Sequence, residues 1–306
     1  FNIVCSVQIQ QKMGIGELAM NKQLKISPEK AIGMVLLYAV LIFGAITMVF
    51  PYLYMVSGSF KSGVEVISNF SFYLFPKQPT LESYALLFKK VPFFNGLMNT
   101  LILEVVTLTA GTFVTTLSAF AFGKMHMPCK KVLFFISISS MMIPFVVVMI
   151  PQYKVFVELG LTDTLWPLII PAFFGNTGFF FFLVQYLSGI STEYFEAAKI
   201  DGAGYFTQYF KIMIPLCMPA ISVQIIFWFL GVWNDVLGPD IYLKQPEKKT
   251  LQVLIKYLDN NFGGGTLVNQ PIMMAAAFLS SIPVLAIYII FQKKFIKALL
   301  VGGIKG

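Results

Sequence analysis

The chain has 306 residues, 57% of them hydrophobic and only 12% charged, and its mean hydropathy is +0.78. A soluble domain carries about 25% charged residues, so there is too little polar surface here for a water-dissolved globule and the bilayer is the expected solvent. The net charge of +8 comes from 22 lysines with no arginine. They are scattered and accompany no nucleic-acid motif, which excludes a nucleic-acid partner. Three cysteines, Cys5, Cys129 and Cys217, show no framework spacing and exclude a disulfide scaffold.

In chain order, residues 1–30 form an N-terminal tail in which MNKQLKISPEK from Met20 reads as a natural start. Membrane-crossing helices need roughly 20 mostly apolar residues. Six stretches meet that length at about 32–56, 97–122, 132–150, 165–187, 216–237 and 272–291. The third is expected to end at Pro151, and the fourth carries Pro167 and Pro171 near its start. Such breakers survive in lipid where neighbouring helices satisfy the freed backbone groups, which predicts a bundle. The expected fold is an all-α membrane protein with six transmembrane helices in a permease domain over 31–291.

Six spans place both termini on one side, together with loop 123–131 and the segment 190–213. That side holds thirteen of the lysines, and both loop 123–131 and the tail 292–306 are rich in Lys and free of acid. Lysine clusters near span ends mark the cytoplasmic face. The outer loops are then 57–92, 151–164 and 238–270.

Segment 190–213 is unlike its surroundings. Glu193, Glu196 and Asp201 face only Lys199 and Lys211 there, so it is acidic by one charge where the other segments on that side are basic. Thr192 is placed to cap a short helix whose first turn carries Glu193 and Glu196, where the helix dipole favours negative charge. Gly202 and Gly204 suit a sharp reversal, and Tyr205 to Ile212 suit a second short helix ended by Pro215. The small pair Ala197 and Ala198 lets a partner surface approach. Two readings stand on these residues alone: an amphipathic loop at the headgroups, or a plug for a protein socket. Interfacial helices are usually basic on their polar face, and this one is acidic.

Glu196-Ala197-Ala198, Asp201-Gly202-Ala203 and Ile214-Pro215-Leu216 resemble the EAA loop of permeases in binding-protein-dependent ABC importers. Trp233-Asn234-Asp235, Thr250-Leu251, Met274-Ala275-Ala276, Ile282-Pro283 and the terminal Val301-Gly302-Gly303-Ile304-Lys305-Gly306 are similar to the carbohydrate branch, in particular the smaller membrane subunit of maltose-type importers. The resemblance implies that Glu196, Ala197, Ala198, Asp201, Gly202 and Ala203 form a cytoplasmic coupling hairpin between spans four and five. It also implies three partners: a second permease subunit, a cytoplasmic ATPase dimer and an extracellular or periplasmic sugar-binding protein. The chain has no G-x-x-x-x-G-K-[ST] phosphate loop, so ATP and Mg belong to the partner ATPase and the chain itself needs no cofactor.

Carboxylates inside spans mark functional candidates. Glu104, Asn234 and Asp235 are candidates for a translocation path or outer gate. Glu104 follows Asn99 and Thr100 and is expected near the outer interface, exposed to water, while Asp235 is expected to brace the following loop. Gln185 and Gln224 are expected at the cytoplasmic ends of spans four and five. Gly263, Gly264 and Gly265 form a candidate contact loop for the binding protein, the alternative being a slack connector. Phe179 to Phe182 and Trp228 suit either sugar stacking or helix packing and lipid contact, with packing favoured in so aromatic a chain. His126 and Cys129 alone do not make a metal site. The other class considered is an ATP-independent secondary transporter or channel, which predicts inverted repeats and paired intramembrane ionisable groups.

Overall fold

A computed structural model describes residues 28–68, 73–261 and 269–303. Every regular element among the described residues is helical. The chain divides into two compact units, residues 1–55 and 56–306. Most of α1 (Pro28–Gly58) belongs to the first; its sequence is apolar on every face, as a bilayer-spanning helix requires.

In the second unit α2 (Gly63–Ser68) and α3 (Glu82–Lys90) lead into α4 (Phe93–Lys124), 32 residues long. Next come α5 (Lys130–Ser139) with a tight 3-10 turn over Ser140–Met142, and α6 (Phe145–Glu158). Then α7 (Trp166–Ile169) passes into a 3-10 turn over Ile170–Phe174, followed by α8 (Thr177–Ser188). The last group is α9 (Glu193–Ile200), α10 (Tyr205–Gln208), α11 (Ile214–Trp233), α12 (Leu237–Tyr242), α13 (Leu251–Asn261) and α14 (Gln270–Gly303). Among the described residues, five helical stretches are long and apolar enough to cross a membrane, or six when one bent pair counts as a single span.

The bent pair is the third expected span, and it differs from the sequence reading. The chain turns by 95° between Met142 and Phe145, and α6 continues through Pro151 to Glu158. Ile143 is extended (φ −86°, ψ 113°), as the residue before a proline prefers, so Pro144 breaks the span and Pro151 does not. The turn is prepared by serines that bond back to their own helix. Ser137, Ser139 and Ser140 hydroxyls donate to the carbonyls of Leu133, Phe135 and Ser137, a competition that bends and ends helices. The fourth span is interrupted too. Gly175 (φ 79°) stops the 3-10 turn, and the Asn176 side chain restarts the helix by accepting from Phe179 N–H at 3.0 Å.

Within this unit α4 is the central element. It packs against α8, α11, α13 and the turn over 170–174, while α11 also packs on α14, and α14 on α3 and α13. Lipid offers no hydrophobic gain to helix association, so close fit has to supply it. Gly111 receives the Trp228 indole, and Gly96 receives Leu254. Two apolar clusters result. One gathers Ala119, Phe120, Leu183, Leu187, Phe195, Tyr209 and Met213, and the other gathers Leu87, Phe93, Phe229, Trp233, Leu251 and Ile272.

Candidate functional site

The segment with the unusual charge folds as a hairpin of α9 and α10. Its first helix begins differently from expectation: Thr192 is itself helical (φ −70°, ψ −22°) and makes no side-chain cap bond. Ser191 takes that role, its hydroxyl accepting from Glu193 N–H at 3.2 Å. At the other end Asp201 is the last half-helical residue and Gly202 takes φ 79°. Ala203 N–H donates to Ala198 O at 2.8 Å and Gly202 N–H to Lys199 O at 3.1 Å. That pair of bonds is a Schellman stop, which needs a left-handed residue at the glycine position. Open space surrounds Gly202, so backbone conformation alone demands a glycine there. Gly204, expected to share the reversal, has an ordinary extended backbone (φ −67°, ψ 167°). The Gln208 amide donates to Ala203 O at 2.8 Å and closes the hairpin.

Two buried aromatics fasten the hairpin to α4. The Phe195 ring lies 5.9 Å from Phe120 with the Lys124 ammonium 5.3 Å above it, and that ammonium donates to Ile190 O at 2.6 Å. Tyr209 sits 5.9 Å from Phe120, and its hydroxyl shares a 2.8 Å hydrogen bond with the Thr116 hydroxyl. Outward, Glu196, Ala197, Asp201 and Gly202 are exposed, beside an apolar crown of Ile200 (87% exposed) and Phe206 (71%).

The second arm does not end at Pro215 as the sequence suggested. Helix runs unbroken from Tyr205 to Trp233, passing through a π-helical turn over Tyr209–Met213 in which Ile214 N–H reaches Tyr209 O. Pro215 has no N–H to donate, and a wider turn just before it is the local adjustment that keeps a proline-containing helix continuous. The hairpin is therefore one piece with α11.

Along α4 a stripe of small and polar residues is buried: Gly96, Thr100, Glu104, Thr107, Gly111 and Thr115. Their spacing of three and four places them on one face. Thr100 and Thr107 bond back to Gly96 O (2.8 Å) and Leu103 O (2.6 Å). Glu104 is 2% exposed, and neither carboxylate oxygen has a hydrogen-bond partner among the described residues. This corrects the expectation of a water-exposed Glu104, because that side chain lies on the packed face of α4. Gln224 is likewise fully buried within α11 rather than at its end, its amide 3.4 Å from the Thr112 hydroxyl. Trp228 stacks on Phe179 at 5.7 Å while filling the gap at Gly111, so its role here is packing. Asn234 is exposed and bonds back to Leu230 O at 2.8 Å. The Asp235 carboxylate accepts from Gly238 N–H in the first turn of α12 at 3.2 Å and so braces the segment that follows α11.

At the opposite end of α4 the loops are tied by charge. Asp163, held at φ 60°, accepts from the Lys244 and Gln245 amides at 2.9 and 3.2 Å and pairs with Lys248 at 3.0 Å. Asp240 pairs with Lys249 and Lys256, each at 3.2 Å, and the Lys249 ammonium lies 3.8 Å from the Tyr257 ring centre. Asn99 donates to the carbonyls of Glu247 and Lys249, and Thr100 accepts from Leu251 N–H. Gly263, Gly264 and Gly265 lie outside the described residues.

Comparison with known proteins adds the family. Residues 111–301 match the binding-protein-dependent transport system inner membrane component family. Protein LplC of Bacillus subtilis is 32% identical over 273 residues, covering 86% of this chain and 91% of LplC. An arabinooligosaccharides transport system permease protein, AraQ of Halalkalibacterium halodurans, is 29% identical over 266 residues, covering 86% and 94%. A chain from a bacterial ABC transporter involved in the import of the acidic polysaccharide alginate shares the fold, with a TM-score of 0.76 at 24% identity over 88% of this chain and 99% of that one. The chain belongs to the family of binding-protein-dependent transport system inner membrane components, and it is a multi-pass protein of the bacterial plasma membrane.

Proposed function

We propose that this chain is the permease subunit of an ATP-driven importer for a sugar or oligosaccharide. It forms half of the translocation path beside a second permease subunit and couples to a separate ATPase through Glu193 to Ile212. The observation that carries this reading is the hairpin: stopped by Gly202, fastened by Phe195 and Tyr209 to α4, and continuous with α11, while Ile200 and Phe206 stay exposed. Exposed apolar side chains on a short acidic hairpin fit a protein socket better than headgroups. The lysine distribution supports a cytoplasmic hairpin and cytoplasmic termini. The sugar class is supported by the arabinooligosaccharide relative.

ATP and Mg bind the partner ATPase. Its closure on ATP displaces the docked hairpin, and rigid continuity with α11 and α4 passes that displacement to the bundle as a shift between inward- and outward-facing populations. Asn234 and Asp235 belong to the outer gate, Glu104 joins the path only when the bundle opens the packed face of α4, and Gly263, Gly264 and Gly265 contact the docked binding protein. The chain itself carries out no hydrolysis.

Co-purification of the ATPase with wild type and with Glu196→Lys, alongside uptake in cells carrying the whole transporter, tests the coupling. Loss of both with normal membrane insertion is expected; undiminished capture and uptake overturn it.

A further inference from the structure

Two of the spans are broken, and the breaks meet. The third bends by 95° between Met142 and Phe145, and the fourth stops at Gly175 and restarts at Asn176. The Ser140 and Thr177 hydroxyls, one near each break, lie 3.4 Å apart. Thr177 also lines a cleft of about 130 Å³ that reaches α4 at Thr115. Thr115 is nine residues short of Lys124, so the cleft lies about 14 Å inside that end of the helix. Irregular backbone at such depth is stable only where protein buries it or water reaches it.

The lining is neutral. Thr115, Ser118, Ser137, Asn176 and Thr177 supply hydroxyls and one amide, and the Phe122 and Phe180 rings, edge to face at 5.1 Å, form an apolar wall. Part of this polarity is spent on the fold. The Asn176 side-chain oxygen accepts from Phe179 N–H, the Thr115 hydroxyl accepts from Asn176 N–H at 3.0 Å, and the Ser137 hydroxyl donates to Leu133 O. The Asn176 side-chain N–H groups and the Ser118 hydroxyl have no hydrogen-bond partner among the described residues. An amide NH₂ donates twice, and a hydroxyl both donates and accepts.

Three occupants are disfavoured by this chemistry. With no ionisable side chain in the lining, an anion or a cation would lose its hydration and gain no counter-charge. Lipid tails would leave the polar groups unpaired. An uncharged molecule with hydroxyls along one edge and an apolar face for the rings fits, and a sugar ring has both. One water takes about 30 Å³ of liquid, so the cleft has room for about four waters. That is the edge of one ring and not a whole oligosaccharide, the share due to a chain that forms half of a path.

We propose that this cleft holds one ring of a neutral saccharide in transit, with Ser118 and Asn176 bonding its hydroxyls. The assignment rests on the importer reading above and adds to it the class of cargo and its contact residues.

The test uses membranes carrying the whole transporter, with and without ATP and orthovanadate. Ser118→Cys is probed with 2-aminoethyl methanethiosulfonate, and mass spectrometry of the labelled peptide locates the label. Labelling at 118 is expected to slow at least threefold with arabinobiose or galactobiose at high millimolar concentration, and to be unaffected by digalacturonate or by betaine at equal osmolality. Adding Asn176→Ser keeps an oxygen to cap α8 but removes the amide donors. The sugar-free labelling rate should then stay the same, showing the fold intact, while protection weakens at least threefold. The proposal is overturned if position 118 is never labelled, or is labelled only when the second permease is omitted, which marks a packing socket. It is equally overturned if no neutral disaccharide protects, if digalacturonate protects as well, or if protection survives Asn176→Ser. Capture of the ATPase by the wild-type chain is measured in the same membranes. Protection without capture removes the coupling reading and leaves the sugar contact standing, whereas capture without protection removes the sugar contact alone.

Discussion

The two ends of α4 are held by different means. At the hairpin end the ties are mainly apolar and aromatic, Phe195 and Tyr209 on Phe120, joined by a buried hydroxyl pair with Thr116 and by the Lys124 ammonium on Ile190 O. At the other end ion pairs are added to the apolar packing: Asp163 with Lys248, and Asp240 with Lys249 and Lys256, join segments of the loops there. Packed aromatics transmit displacement because a dense contact resists compression in any direction. An exposed ion pair such as Asp163–Lys248 fixes register but contributes little stability, about 0–1 kcal/mol. The hairpin end thus has the construction of a strut and the loop end that of a latch.

The sharpest way to break this contrast is to remove the strut's anchor. Phe195→Ala deletes a 6%-exposed ring, a loss worth about 3 kcal/mol for a buried phenylalanine. The hairpin is expected to detach locally while the spans stay folded. Trypsin cleavage after Lys199 then accelerates strongly and uptake by the whole transporter falls at least tenfold. Cleavage at the wild-type rate disproves the anchoring role.

Gly202→Val comes next. A β-branched residue at φ 79° costs about 1–2 kcal/mol through Cβ crowding alone, since open space surrounds the site. Uptake is expected to drop several-fold with normal insertion, and Gly202→Asn to recover most of it because Asn tolerates the left-handed region. Equal loss in both variants points instead to a steric requirement in the partner. A smaller effect belongs to Tyr209→Phe, which leaves the ring and removes the hydroxyl pair. Thr116 still donates to Thr112 O at 2.7 Å, so a loss of only about 1 kcal/mol is expected, read as a lower melting temperature with near-normal uptake.

The spans and the hairpin were legible in the sequence because hydropathy, proline and glycine act locally. The end of the third span, expected at Pro151, falls instead at the 95° bend before Phe145, for an equally local reason. Two prolines compete, and the serines at 137, 139 and 140 decide between them by drawing the backbone out of register before Pro144. The continuity of hairpin and α11 was hidden because Pro215 signals a stop, and only the π turn before it shows how the helix passes. The burial of Glu104 had a visible signal that sequence neighbours obscured. Gly96, Thr100, Glu104, Thr107, Gly111 and Thr115 recur at helical spacing, a stripe that identifies the packed face, whereas proximity to Asn99 suggested water. The ionic latch was not legible at all, since Asp163 meets Lys248 across 85 residues.

The smallest expected effect sharpens the latch. Removal from water pushes the Asp163 carboxyl upward, but the Lys248 hydrogen bond, the Gln245 and Lys244 amides and the Lys248 charge outweigh that push and leave it below the ordinary carboxylate value. A carboxyl depressed in the folded state contributes its stability above the unfolded value, about 3.9, and loses it as pH falls through the lower folded value. The loop at 242–249 is thus expected to hold unchanged from neutral pH down to about 4, then loosen as the medium becomes more acidic. Hydrogen exchange at the Lys244 and Gln245 amides, corrected for intrinsic rates, reads this directly. Asp163→Asn keeps an oxygen acceptor and tolerates φ 60° but carries no charge, so its exchange should lie modestly above wild type at neutral pH and show no acid step. High salt, which screens exposed pairs, should move wild type towards the variant. If the acid step persists in Asp163→Asn, the loop is held by another carboxylate, and Asp240 with its two lysines becomes the group to replace next.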